Sequence, residues 1–386
     1  MTAALTRRWL LALYVGSAAL VTLQQAVLGR SNNFRVFRSA SLNLFAGRDL
    51  YAAHPEQHFD LYKYSPTFAL LFAPLAYLPF ALAYLCWTLL NALLLWYALD
   101  RLLPNRPATV ALALVYLEVL FSMQYGQSNA LVAALLILAF VALEQGRQGH
   151  AAALIGVDAF IKIFPLAGVS LALFHPRRAR FALLAAAALV GLALLPLAVV
   201  PPHELAAQYR SWRAIEAADA PNRGYALMQY LYMVGLDWPN WSVQLAGTVV
   251  LLLPLALGRR RWDDAAFRRL FLGTLLVYLV LFNHQSERAT FVIAYTGIAI
   301  WYVSAPRPVD WVRTAVMALT LLVMVVHDVE IVPRWVKNEI LIPYRIKGIP
   351  CLVAWLVMEW QLFVTARRSA PGETPRSQTA PAPWAT

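Results

Sequence analysis

The sequence predicts an all-α, polytopic integral membrane bundle, and three observations carry that prediction. Hydrophobic residues make up 61% of the chain and charged residues only 13%. Apolar runs of about 17 to 22 residues recur along it, close to the roughly 20 that a helix needs to cross a bilayer core. The arginines behind the net charge of +12 gather at the ends of those runs, as cytoplasmic hinges of membrane proteins do. The basicity is therefore topological and does not point to nucleic acid. Alternating ten-residue segments, the mark of an outer-membrane barrel, are not the pattern here. At about 20 residues per span the chain has room for about ten to twelve membrane segments. Cys86 and Cys351 both fall within apolar runs, so no disulfide framework or CxxC metal site is expected.

Taken in order, Arg7 and Arg8 precede a first span over Trp9–Leu28 and place the N-terminus in the cytoplasm. The polar stretch 30–65 is then the first outer loop. Within it, Phe34, Phe37, Leu42, Leu44 and Phe45 interleave with Arg35, Arg38 and Asn43, which predicts a short amphipathic helix on the membrane surface, ended by Gly47. Pro66–Leu78 is too short to span and is read as a surface or re-entrant helix. Spans follow over Phe80–Leu99, Ala108–Met123 and Ala130–Leu143, with a polar cap at Gln124–Asn129 between the last two. Asp158, Lys162 and Pro165 interrupt Ala151–Phe174, and both of its ends carry cytoplasmic signals; this predicts two half-length helices with Lys162 at the bend. A second outer loop, 201–241, is dense in aromatics and predicts helices lying in the interface. Later outer segments are Asn283–Arg288 and His327–Lys347, and inner hinges lie at Arg259–Arg261, Arg307 to Arg313, and Arg367 with Arg368. Residues 1–368 thus read as one membrane domain with both termini inside. Residues 369–386, rich in Pro, Ser, Thr and Ala, read as a disordered cytoplasmic tail.

The first outer loop is where chemistry is expected. It holds the acids Asp49, Glu56 and Asp60, the bases Arg35, Arg38, Arg48 and Lys63, and the aromatics Tyr62 and Tyr64. Transfer of a sugar from a lipid-linked phosphate needs a carboxylate to take the acceptor's proton and cations to steady the phosphate. Tyr62 and Tyr64 suit stacking on a sugar ring. The plain alternative is a solvated loop whose acids pair with its own bases. Lys162, an ammonium at membrane depth, is expensive to keep and suits a phosphate head group; its alternative is an ion pair with Asp158, one turn earlier. Gln127 and Asn129 in the polar cap suit a sugar or phosphate, or a helix-capping turn. His284 and Glu287 suit donor or acceptor, or a wet loop. A metal held by His54, Glu56 and His58 is disfavoured because Pro55 interrupts a helix there. Motifs for ATP, nicotinamide or common hydrolase chemistry have no support, and no metal or cofactor is expected.

Several of these segments, in order, resemble one family. FRVFRSASLNLFAGRDLY (Phe34–Tyr51), Tyr62–Pro66 leading to Pro74 and Leu78-Pro79, Gly126–Asn129, and Ile161–Pro165 are similar to glycosyltransferase family 87. Those are GT-C-fold membrane enzymes related to polyprenol-phosphate-mannose-dependent mannosyltransferases. The resemblance implies inverting transfer from a polyprenyl-phosphate sugar, mannose-like or another hexose or pentose, to a glycan or glycolipid of the cell envelope. It also implies work at the outer face of a bacterial plasma membrane, among membrane lipids. It implies a general-base aspartate early in the first outer loop, where this chain has Asn33, a binding residue at most. Asp60, beside Tyr62-Lys63-Tyr64, is the favoured base, and Asp49 the second choice. The alternative from a different class is a non-catalytic binder or transporter of lipid-linked saccharides, for which Asn33 and the break at Lys162 argue.

Overall fold

A computed structural model describes residues 3–29, 31–329 and 332–367. It is helical, with no strand among the described residues. The tail 369–386 and Arg368 lie outside them. Six helical segments are long and apolar enough to cross a membrane: Leu5–Leu28, Phe80–Leu102, Asn105–Gln124, Arg178–Ala198, Asn240–Leu257 and Ile346–Arg367. Shorter apolar helices among the described residues include Asn129–Glu144, Phe164–Phe174, Arg288–Val303 and Trp311–His327. The chain is a polytopic membrane bundle.

The short helices explain why length alone undercounts the bundle. Helices α1 (Ala3–Leu28), α2 (Asn32–Phe45), α3 (Pro66–Leu71), α4 (Ala73–Ala76), α5 (Phe80–Leu102) and α6 (Asn105–Gln124) lead to α7 (Asn129–Glu144), which is buried on nearly every face. Two later helices, α13 (Ala265–Leu281) and α14 (Phe291–Val303), are buried in the same way. A helix apolar all round sits in the core, shielded from lipid by its neighbours. Gly273 and Gly297 let α13 and α14 approach closely, since a Cβ on Gly297 would lie 2.5 Å from the carbonyl oxygen of Gly273. Peripheral helices α9 (Arg178–Leu194) and α12 (Asn240–Leu257) instead turn Leu183, Val190, Leu245 and Val249 outward.

The break expected near Lys162 lies there. Helix α8 (Gln148–Ile161) stops, Lys162 is extended at φ −144° and ψ 141°, and a 3₁₀ helix runs over Phe164–Phe174. Pro165 lies in its first turn, where a missing N–H costs nothing. The second polar loop folds as α10 (Pro202–Asp219) and α11 (Leu227–Met233) before α12. The chain closes with α15 (Trp311–Asp328), a one-turn α16 (Arg334–Val336) and α17 (Ile349–Arg367).

The polar segments sort to the two ends of the bundle. At one end Asn33 Nδ2 donates to the Tyr125 carbonyl at 3.0 Å, Lys63 pairs with Asp219 at 3.2 Å, and Asn129 Nδ2 donates to the Ala289 carbonyl at 2.9 Å. These contacts bring the first outer loop, the Gln124–Asn129 cap, α10 and the Asn283–Arg288 turn together. At the other end the basic hinges meet acids: Arg7 with Asp100, and Arg268 with both oxygens of Glu144 at 2.7 Å.

Candidate active site

Asp60 is held at the polar end, on the loop between α2 and α3. Asn32 Oδ1 accepts from the Phe59 N–H at 3.2 Å, which ties the loop to the start of α2. Leu61 N–H donates to Asp60 Oδ1 at 2.8 Å, and His58 Nδ1 donates to the Asp60 carbonyl. Burial pushes the His58 imidazole down, so the ring is neutral at neutral pH. Asp60 itself is exposed, and its second carboxylate oxygen, Oδ2, accepts no hydrogen bond among the described residues.

Two cavities meet at this carboxylate. The first, about 500 Å³, is lined among others by Asn33, Asp60, Lys63, Tyr64, Gln127, Lys162, Trp212, Glu216, Asp219, His284, Glu287 and Arg345. The second, about 950 Å³, runs between α1 and α6 past Leu117, Leu120 and Phe121, with Arg334 and Lys337 also in its wall. Asn33, Asp60 and Glu287 line both. Glu287 is the more committed of the two acids: it caps the 288–290 turn and accepts from Gln127 Nε2 at 3.4 Å.

The wall is built from loops that clamp one another. Trp87 Nε1 donates to the Gly126 carbonyl at 3.0 Å, and Tyr84 to the Met123 carbonyl at 2.6 Å, so the polar cap is fixed from beneath. Phe37 meets Tyr64 edge-on at 4.8 Å, and the Tyr64 hydroxyl reaches Gln127 Oε1 at 3.5 Å. Burial pushes the Tyr64 phenol up, which keeps it a neutral donor. Gly224, at φ +49°, lies against the other wall; a Cβ there would stand 2.4 Å from the Ser286 carbonyl oxygen. Only glycine permits that approach. The next residue, Tyr225, donates its N–H to the same oxygen at 2.9 Å.

Charge is distributed unevenly around the first cavity. Lys162 stands over the rings of Tyr64 at 5.8 Å and Phe164 at 5.9 Å, and forms no salt bridge among the described residues. The pairing with Asp158 is not formed: that carboxylate is buried and accepts no hydrogen bond from a described residue. Arg345 likewise has no carboxylate partner among the described residues and stands over Tyr225 at 4.7 Å. Lys63, by contrast, is bound to Asp219. On α10, Trp212, Glu216 and Asp219 line the cavity from one helical face. Gln285 Nε2 bridges the two acids at 3.0 Å and 2.9 Å. Burial pushes the Glu216 carboxyl up, against the lowering effect of its hydrogen bonds from Gln285 and Trp212. His284 is pushed down by burial and accepts from Gln244 at 3.3 Å through Nδ1.

The remaining candidates lie outside both cavities. Asp49 Oδ1 accepts from the Tyr51 N–H at 3.0 Å and Oδ2 from Ser211 at 3.3 Å, so it shapes the loop. Tyr62 is fully buried and donates to the Ser65 carbonyl at 2.8 Å. Asn129 is buried and spent on Ala289. Arg38 caps the short helices by donating to the carbonyls of Ala76 at 2.8 Å and Leu78 at 3.2 Å, and Arg35 stands over Phe80. Both line a separate groove with Gln25 and Gln57. His54 is spent on the Asp49 carbonyl, and no cluster of His, Cys, Asp and Glu suited to a metal occurs among the described residues.

The sequence model of glycosyltransferase family 87 matches residues 62–283, more than half of the chain. The chain belongs to this family. No curated protein matches it. Membership makes the protein a membrane glycosyltransferase acting on a donor and an acceptor. The matched region takes in Lys63, Tyr64, Gln127, Lys162 and the acidic face of α10, and it stops short of Asp60 on one side and Glu287 on the other.

Among the residues lining the glycosyltransferase cavity that went unread in the sequence are Trp212, Glu216, Asp219 and Arg345. The first three had a local signal, since 212, 216 and 219 are spaced by four and three residues and therefore share a face. The density of aromatics in that loop hid it. Arg345 had none, because its place depends on a turn with φ +54° that no pattern announces.

Proposed function

We propose that this glycosyltransferase moves a mannose-like hexose, or a pentose, from a polyprenyl-phosphate sugar to a cell-envelope glycan or glycolipid with inversion. In this reading residues 1–368 form one domain of a bacterial plasma membrane protein, with both termini cytoplasmic and the cavities on the outer face. The observation that carries it is Asp60, a carboxylate with a free oxygen at the meeting of two cavities, one with unpaired cations and one reaching along apolar helix surface.

The chemistry is a single displacement. An acceptor hydroxyl in the second cavity gives its proton to Asp60 as its oxygen attacks the anomeric carbon. The bond from that carbon to the phosphate oxygen breaks, and the phosphate leaves with the electron pair. Lys162 and Arg345, which form no salt bridge among the described residues, steady the departing charge. Isoprenoid chain then lies in the apolar groove of about 430 Å³ beside Arg345, lined by Phe121, Tyr125, Tyr225 and Ile342. Asn33, Tyr64, Gln127, His284 and Glu287 supply hydrogen bonds to the sugar and the acceptor, with Lys63 holding Asp219 in place.

Asp60→Asn tests this directly. Purified, reconstituted protein is offered a panel of labelled polyprenyl-phosphate sugars with envelope lipids and glycans as acceptors. Transfer is expected from one donor and to fall about 10² to 10⁴-fold in the variant, the range for loss of a general base, with donor binding retained. Full activity in the variant rejects the base. Asn33 lines both cavities and is the observation favouring a second reading, binding or movement of the lipid-linked sugar without transfer. Saturable donor binding with no product from any donor would select it.

A further inference from the structure

We propose that the α10 end of the first cavity is a glycosyl subsite that holds the donor's sugar ring by its hydroxyls and prefers a neutral sugar to an anionic one. It rests on the transferase reading above. Trp212, Glu216 and Asp219 present one face of α10 to the cavity. Their orientation is set before any ligand arrives: Gln285 Nε2 donates to Glu216 Oε2 and Asp219 Oδ2, Lys63 Nζ and Asn222 Nδ2 to Asp219 Oδ1, and Trp212 Nε1 to the Lys63 carbonyl at 3.2 Å. An ionised carboxylate has about four acceptor positions, so these bonds leave several facing the cavity. What such acceptors take is O–H donors, and the indole beside them offers an apolar wall for a ring's C–H face.

A second observation points to a ligand at the same place. Asn283 lines the cavity and is only 7% exposed. Its Oδ1 accepts from the Gln285 N–H at 3.0 Å, whereas its amide nitrogen donates to no described residue. Having no acceptor among the described residues, that N–H is free to donate to a sugar oxygen at the cavity wall. The charge balance then sets selectivity. Glu216 and Asp219 face this end, where Lys63 is engaged by Asp219 and Arg223 by Asp237, and Lys162 and Arg345, without a salt bridge among the described residues, are left for the phosphate. A carboxylate on the sugar would meet two acids.

The test is equilibrium binding to the reconstituted protein of three probes: polyprenyl phosphate without sugar, its neutral hexose ester and its hexuronic acid ester. The hexose ester is expected to bind about tenfold more tightly than the hexuronate. Glu216→Gln and Asp219→Asn should each narrow that gap to within about threefold, and Asn283→Ala should weaken both esters about tenfold. The sugar-free lipid should bind all variants as it binds the unaltered protein, which also shows that they are folded. Equal affinity for the two esters in the unaltered protein, a comparison needing no variant, overturns the subsite. So does an unchanged gap in both acid variants. Failure of the unaltered protein to bind even the sugar-free lipid overturns the transferase reading, and the subsite falls with it.

Discussion

Two lysines in this protein are held away from bulk water in opposite ways. Lys347, just before α17, lies fully buried 2.9 Å from Glu118 of α6, which is equally buried, with its ammonium over Phe121 at 4.4 Å. Lys162, at the break after α8, lines an open cavity, and its own nearby acid, Asp158, is not bonded to it. The first charge is neutralised by a buried carboxylate and sealed inside packed helices, where removing either member of the pair is costly. The second is left available, which a folding chain tolerates at membrane depth only beside a wet cavity. Being buried and being paired are therefore separate properties, and the proposed mechanism uses the cation that forms no salt bridge among the described residues.

Breaking the sealed pair should have the largest effect. Lys347→Met removes the ammonium 2.9 Å from the buried Glu118 carboxylate and should cost about 3 to 5 kcal/mol, read as a lowered Tm and reduced yield in detergent. Adding Glu118→Met should recover most of that loss. No recovery in the double variant would mean the segment needs the charges for something other than mutual neutralisation. Lys162→Met tests the opposite behaviour. Its Tm should hold, while the KM for the lipid donor rises about ten- to hundredfold, the range for a hydrogen bond to a charged group; a fall in Tm with unchanged KM would make it structural.

A third substitution tests the loop that joins the cavity walls. Gly224→Ala puts a methyl into the Ser286 carbonyl at a φ of +49°, a strain of about 1 to 3 kcal/mol. Transfer should drop about tenfold or more with a smaller change in Tm, because Gly224 itself lines the cavity against Ser286 and lies outside the bundle core. The smallest effect expected is a pH dependence. Glu216 faces Asp219 on its own helix, Lys63 and Tyr51 from the first loop, and Gln285, and burial raises its carboxyl. As pH falls through that raised value the group becomes neutral, so discrimination against the hexuronate ester should begin to relax above the ordinary glutamate range. Glu216→Gln should remove this dependence, and a titration identical in both proteins would assign it elsewhere.

Helix positions, the break at Lys162, and the polar segments from which the cavity is made were legible in the sequence. These are local properties: apolar run length measures whether a segment can sit in lipid or core, and a lysine and a proline within one run mark a place where a helix stops. Asp60, Lys63, Tyr64, Gln127, Lys162, His284 and Glu287 were readable as candidates because each lies in a polar segment between apolar runs or, for Lys162, interrupts one. Tertiary structure alone decided which of them meet. Lys63 finds Asp219, 156 residues away, and Gln127 finds Glu287, 160 residues away, and spacing along the chain carries no record of such pairings. It also decided that Asp49, Tyr62, Asn129, Arg35 and Arg38 lie outside the two main cavities, and that Trp212, Glu216 and Arg345 line one. The physical reason is that a helical bundle fixes its apolar surfaces by composition, while the closing of polar loops over one end depends on hydrogen bonds between segments that only packing brings together.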